Sequence, residues 1–329
     1  MKKFFVVPHS HLDREWYRTF QENRIKLVRF MDDLLDTMDA DEEYTCYNLD
    51  AQTSFIDDYF AIKPENEERF RRHIRAGRLP IGPWYVQPDE HLPTAEGIIR
   101  NLLISKRISD GYADYNRVGY VPDSFGQSAV FPTLMKGFGI DSAILYRGFG
   151  EEDSRYNDFI WEGLDGSRLI ANWMPIGYGN AMFFCEDLEK NLRVVEENLT
   201  LLKERSISGN YLLMCGSDQS FIKKFLPAAL RQLNDYYQSR GQEYEFVLAT
   251  LQDYIDAIRG HAKQMEVVRG ELRKGKRSRT HNSIGATRLD IKQKSFMSGS
   301  ATARGRGGRF WCFPPALRRD SRSSRRTCM

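Results

Sequence analysis

Short β-rich runs alternate with helical patterns from the first residues to about position 295, and that alternation restricts the chain to a small set of folds. Strands are expected over 3–7, 44–49, 79–85, 118–121, 142–146, 168–173, 211–214 and 246–249. Between the first two, Ile25, Val28, Met31, Leu35 and Met38 recur at three- and four-residue steps, which sets them on one helix face. Arg24, Lys26, Asp32 and Asp36 then turn toward water. Further helices are expected over 65–76, closed by Gly77, and over 95–111, 187–205, 221–240 and 250–260. Repeats of this kind build parallel βα units. No GxGxxG occurs, and no GxxxxGK followed by Ser or Thr, so the α/β chain reads as a barrel-like or open parallel sheet rather than a dinucleotide-binding fold.

Composition removes several function classes. No run approaches the roughly 18–20 apolar residues of a bilayer span, and the four apolar residues after the N-terminal lysines fall short of a secretory signal. A cytoplasmic protein without a membrane partner is expected. The five cysteines form no close pair, which argues against a disulfide framework or a zinc ribbon. The net charge of +3 is unevenly spread: residues 297–329 hold eight arginines, no lysine and one acid, so the body is mildly acidic. Nucleic-acid binding thereby loses its electrostatic footing. The segment 297–329 has no burial periodicity and reads as disordered or non-native, resembling translation in a wrong frame.

Polar residues recur just after the expected strands: His9, His11 and Asp13 after the first, Asp50 after the second, Asp89 and Glu90 after the third. Asp123, Arg147 and Asp218 follow later ones. In parallel α/β folds these strand ends converge on one crevice. Alternate residues of an extended chain point the same way, so His11 with Asp13, or His9 with His11, can face one zinc ion. The plainer reading makes one histidine a helix cap or a partner of a backbone carbonyl. Asp123 serves equally as a cap with Ser124, Asp218 as a turn residue, and Arg147 as a structural ion-pair partner. Two carboxylates at one mouth are the minimum apparatus for glycoside hydrolysis. Trp16, Trp84 and Tyr85 are available to stack on a sugar ring, or to fill the core.

Five motifs in order carry a resemblance: Pro-His-Ser-His-Leu-Asp-Arg-Glu-Trp at 8–16, Ile-Gly-Pro-Trp-Tyr-Val-Gln-Pro-Asp-Glu at 81–90, Arg-Asn-Leu-Leu at 100–103, Tyr-Val-Pro-Asp-Ser-Phe-Gly at 120–126 and Arg-Thr-His-Asn-Ser-Ile at 279–284. The chain resembles the catalytic domain of glycoside hydrolase family 38, the zinc-dependent retaining α-mannosidases, in its bacterial cytoplasmic branch. The resemblance implies a seven-stranded parallel βα barrel over 1–260, the start of a truncated helical region over 261–296, and the Arg-rich tail beyond. It implies one zinc held by His11, Asp13 and Asp123, a fourth ligand missing from this chain, and Asp123 as nucleophile. It puts Asp218 in the place of the acid/base, Trp16 under the sugar, Arg147 on the nucleophile's carboxylate, and Trp84 and His281 among the substrate-binding residues. The implied substrate is an α-mannoside oligosaccharide or a small mannosyl conjugate, and the implied partner in the full-length protein is a second copy, as a homo-oligomer. One departure is Cys215-Gly216-Ser217-Asp218, where related bacterial enzymes tend to have Asn-Gly-His-Asp. An amidohydrolase-type metal hydrolase, suggested by His9-Ser10-His11, and an inert carbohydrate-binding fragment are the competing readings.

Overall fold

The computed structural model describes residues 2–112 and 116–304. In chain order its strands are β1 (Lys2–Pro8), β2 (Val118–Val121), β3 (Ser142–Leu145), β4 (Asp158–Glu162), β5 (Arg168–Trp173), β6 (Tyr211–Cys215), β7 (Tyr244–Leu248) and β8 (Glu266–Arg269). The helices are α1 (Phe20–Ala40), α2 (Ser54–Phe60), α3 (Glu67–Arg75), α4 (Ala95–Tyr112), α5 (Phe131–Gly137), α6 (Leu188–Leu202), α7 (Leu226–Ser239), α8 (Leu251–Arg259) and α9 (Leu289–Arg304). Residues 1–287 form one compact unit; a second begins at Arg288 and contains α9. Of the expected Arg-rich tail, 297–304 continue α9 and 305–329 lie outside the described residues.

The strands form two sheets rather than the expected seven-stranded parallel barrel. In the first, β1 is flanked by β6 and β7, both parallel to it. In the second the order is β2-β3-β5-β4-β8, with β4 antiparallel to β5. Two features account for the difference. Segments 44–49 and 79–85, expected as strands, form no ladder and make only single bridges, His9 with Asn48 and Gln52 with Trp84. The unforeseen β4 reverses into β5 through Gly163-Leu164-Asp165-Gly166-Ser167, where Asp165 accepts from the Ser167 amide and Gly166 takes φ +82°. An Asp-Gly between two apolar runs is a hairpin signal, and it places an antiparallel pair inside an otherwise parallel arrangement.

Side-chain alternation along β1 sorts the core. Phe4 and Val6 face a cluster with Leu34, Leu35 and Leu233 under the helices, while Phe5 and Val7 face Phe131, Trp161 and Trp173. β6 repeats this, with Leu213 on the first side and Met214 on the second. Covered on both faces, these strands read as unbroken apolar runs. α1 begins at a capping box of Thr19 and Glu22. Its buried stripe runs through Leu27, Phe30, Met31, Leu34 and Met38, so Ile25, expected inside, is exposed. Each large apolar side chain so buried contributes about 1.5–3 kcal/mol. α8 starts at a second such box, Thr250 with Asp253, and Gly77 closes the helix before it with φ +71°, as expected.

Candidate active site

The carboxyl ends of β1, β2, β3 and β6 meet. β1 runs on into His11, whose amide donates to the Ser217 carbonyl at 3.1 Å and whose carbonyl accepts from the Gln219 amide at 2.7 Å. This bridge sets Asp218 directly beside His11. Gly216 is required here: a Cβ at that position would lie 1.9 Å from the His9 carbonyl oxygen.

His11 is 5% exposed. Its Nδ1 lies 2.9 Å from Asp50 Oδ2, and its Nε2 lies 3.7 Å from Asp13 Oδ1 and 4.0 Å from Asp123 Oδ2. Burial alone would lower the imidazole pKa, but Asp50, Asp13 and Asp123 reverse that and push it up to about 10. Asp50 reaches His11 from a left-handed backbone, φ +53°, followed by Ala51 at +55°. Two such residues in a row without glycine mark a strained segment, here aiming a fully buried carboxylate. Asp50 Oδ2 also accepts from the Leu12 amide and from Gln52 Nε2.

Asp123 leaves β2 and accepts from Arg147 Nε at 2.5 Å. Arg147, from the end of β3, also donates to the Arg279 carbonyl at 2.9 Å, and its guanidinium lies over the Phe125 ring. On Phe125 rests His281, ring centroids 5.2 Å apart. The 279–281 segment thus lies against the turn that carries Asp123.

Tyr178, which no motif in the sequence signals, lies among the acids and holds one of them. Its hydroxyl donates to Asp218 Oδ1 at 3.0 Å, and its ring lies 5.2 Å from that of His11. Burial and then the charges of Asp123 and Asp218 push its pKa up. His9 Nε2 holds the Tyr178 carbonyl at 2.7 Å, and burial keeps that imidazole down to about 4, so it is neutral and donates. Asp13 is pushed up by burial and by Asp218, Asp50 and Asp123, against the pull of His11, which records four carboxylates around one imidazole.

Zinc bonds of about 2.0–2.2 Å set two donors on one tetrahedral ion roughly 3.3–3.6 Å apart. The 3.7 and 4.0 Å separations at His11 Nε2 exceed that spacing by only a few tenths of an ångström, and Asp50 at Nδ1 leaves Nε2 free to ligate. Among the described residues no group of three or more His, Cys, Asp or Glu side chains closes into a ready-made metal cage.

Residues 1–272 match the family model described as the glycosyl hydrolases family 38 N-terminal domain. The chain belongs to glycosyl hydrolase family 38. Over 311 residues it is 30% identical to a Halalkalibacterium halodurans protein named "Putative mannosylglycerate hydrolase", an alignment covering 89% of this chain and 34% of that one. It is 27% identical over 194 residues to the Homo sapiens protein named "Alpha-mannosidase 2C1", covering 58% of this chain and 18% of that one. The crystal structure of an α-mannosidase from Enterococcus faecalis V583 superposes with TM-score 0.78 and 30% identity, over 83% of this chain and 31% of that one. The chain therefore spans about a third of the length of these bacterial relatives.

Within this family 38 domain, His11, Asp13, Asp123, Arg147 and Asp218 come together, and His281 reaches them through Phe125. Trp16 follows Asp13 at the surface, 54% exposed and tilted against Tyr17 with ring centroids 4.0 Å apart. Trp84 is a correction: it is fully buried, with Nε1 donating to the Tyr120 carbonyl and its ring near Phe131, so no face is left for a sugar. Asp50 and Tyr178 had no assigned role in the sequence. The signal for Asp50 was its place at a strand end; Tyr178 sits in an irregular segment with none. No helix among the described residues is long and apolar enough to cross a membrane.

Proposed function

We propose that this domain is the N-terminal part of a zinc-dependent retaining α-mannosidase, and that Asp123 and Asp218 carry the reaction. The observation behind this reading is the pairing of two differently held carboxylates at one crevice: Asp123 gripped by Arg147, Asp218 held by the Tyr178 hydroxyl beside His11. Asp218 gives its proton to the glycosidic oxygen as Asp123 attacks the anomeric carbon, and the C–O bond to the aglycone breaks. Asp218 then takes a proton from water, whose oxygen displaces Asp123 and releases mannose. Arg147 orients the attacking oxygen, and Tyr178 fixes the rotamer of Asp218. His11, Asp13 and Asp123 would hold the zinc, which supplies Lewis-acid stabilisation for the sugar's oxygens when bound. The name of the Halalkalibacterium relative points to a small mannosyl conjugate as substrate. Cys46, Cys185 and Cys215 are free thiols, which suits a reducing compartment.

The amidohydrolase reading needs His9 and His11 as a pair. His9 instead commits Nε2 to the Tyr178 carbonyl, which argues against it.

A fluorinated mannosyl fluoride, with mass spectrometry of the digest, tests the assignment. A covalent mannosyl adduct on Asp123, absent in Asp123→Ala, is expected. An adduct on another residue, or none with zinc supplied, overturns it.

A further inference from the structure

Among the described residues the two sheets share no strand ladder, yet the site takes His11 and Asp218 from one and Asp123 and Arg147 from the other. Some other connection has to register the two halves. The 87–90 segment spans the gap. On one side, Gln87 Nε2 donates to the Asp50 carbonyl at 2.6 Å and its amide to Gln52 Oε1 at 3.1 Å, which ties it to the residue beside His11. On the other, three bonds of 2.7 Å reach the turn after Asp123: Ser124 Oγ to the Pro88 carbonyl, the Phe125 amide to Asp89 Oδ1, and the Ser128 amide to Glu90 Oε2. The far side of the turn is held by backbone bonds in both directions between Gln127 and Leu272. Glu90 is 7% exposed, with Oε1 unpartnered among the described residues, so its carboxyl is kept inside for the Ser128 amide it accepts from.

We propose that Asp89 and Glu90 are positioning residues: they hold the turn that carries Asp123 in register with His11 and Asp218, and neither touches substrate. This rests on the reading of Asp123 as the attacking carboxylate. A displacement of about 1 Å at a reacting group lowers a rate by roughly a hundredfold, so the clamp acts on the chemical step rather than on affinity.

Asp89→Asn and Glu90→Gln keep the accepting oxygen; Asp89→Ala and Glu90→Ala remove it. In the alanine variants, hydrogen exchange at the Phe125 and Ser128 amides should rise at least tenfold with β1 and β6 unchanged. The maximal rate of inactivation by the fluorinated mannosyl fluoride should fall at least tenfold, with its half-saturating concentration held within about twofold. The Asn and Gln variants should stay near the parent on both readouts. Unchanged exchange at 125 and 128 in the alanine variants overturns the proposal, and so do amide variants that fall as far as the alanine ones. Should Glu90→Ala fail to fold, Asp89→Ala carries the same comparison. A parent chain that takes no label counts against the proposed function, while the exchange arm still decides the clamp.

Discussion

His11 Nδ1 and Asp50 Oδ2 lie 2.9 Å apart in the interior, and this contact decides which nitrogen of the ring faces the other acids. Partners of this kind orient a metal-ligating histidine and raise its basicity. Asp50→Asn should therefore weaken zinc binding roughly 10–100-fold without unfolding the chain. Competition titration against a chromogenic chelator measures it, and equal affinities would remove Asp50 from the site's machinery.

Asp218→Asn keeps the contact with Tyr178 and removes the transferable proton. Loss of general acid catalysis should slow hydrolysis of an alkyl mannoside roughly 10²–10⁴-fold, and that of a dinitrophenyl mannoside far less, because its leaving group needs no proton. Equal losses on both substrates would point to a structural role for the residue.

Gly216→Ala places a methyl group against the His9 carbonyl, with no flexible side chain to yield. The strand end must shift, at a cost of about 1–3 kcal/mol. A fall in the urea midpoint with loss of the Tyr178 contact is expected. A midpoint unchanged from the parent would contradict the packing at this point.

Asp158 is fully buried, accepts from Asn172 and Tyr254, and is pushed by burial from 3.8 up to about 6. A carboxyl raised in this direction binds its proton more tightly in the folded chain. Its contribution is complete below pH about 4 and is lost as the pH rises through 6, roughly 3 kcal/mol in all. Asp158→Asn should flatten that part of the stability profile in urea titrations at successive pH values. A variant with the parent's slope between pH 4 and 7 would exclude Asp158 as its source.

The strand ends bearing His11, Asp123, Arg147 and Asp218 were legible because each follows a short apolar run, and runs of that kind need no distant partner to be recognised. Trp84 was not legible in the same way. Its neighbours in sequence suit a sugar platform as well as a core, and only packing against Phe131 with the Tyr120 carbonyl on its indole places it inside. The β4–β5 reversal carried a local signal in Asp165-Gly166, whereas pairing of β4 with β8 joins residues about a hundred positions apart and leaves none.

What the sequence determined by itself, then, was the identity and order of the groups at the crevice, since strand propensity and alternation act over a few residues. The tertiary structure decided which of them share a proton or a charge. His11 with Asp50, Tyr178 with Asp218, and Asp89 and Glu90 with the turn after Asp123 are contacts across 36 or more positions, set by the joint packing of two sheets and a field that no local segment contains.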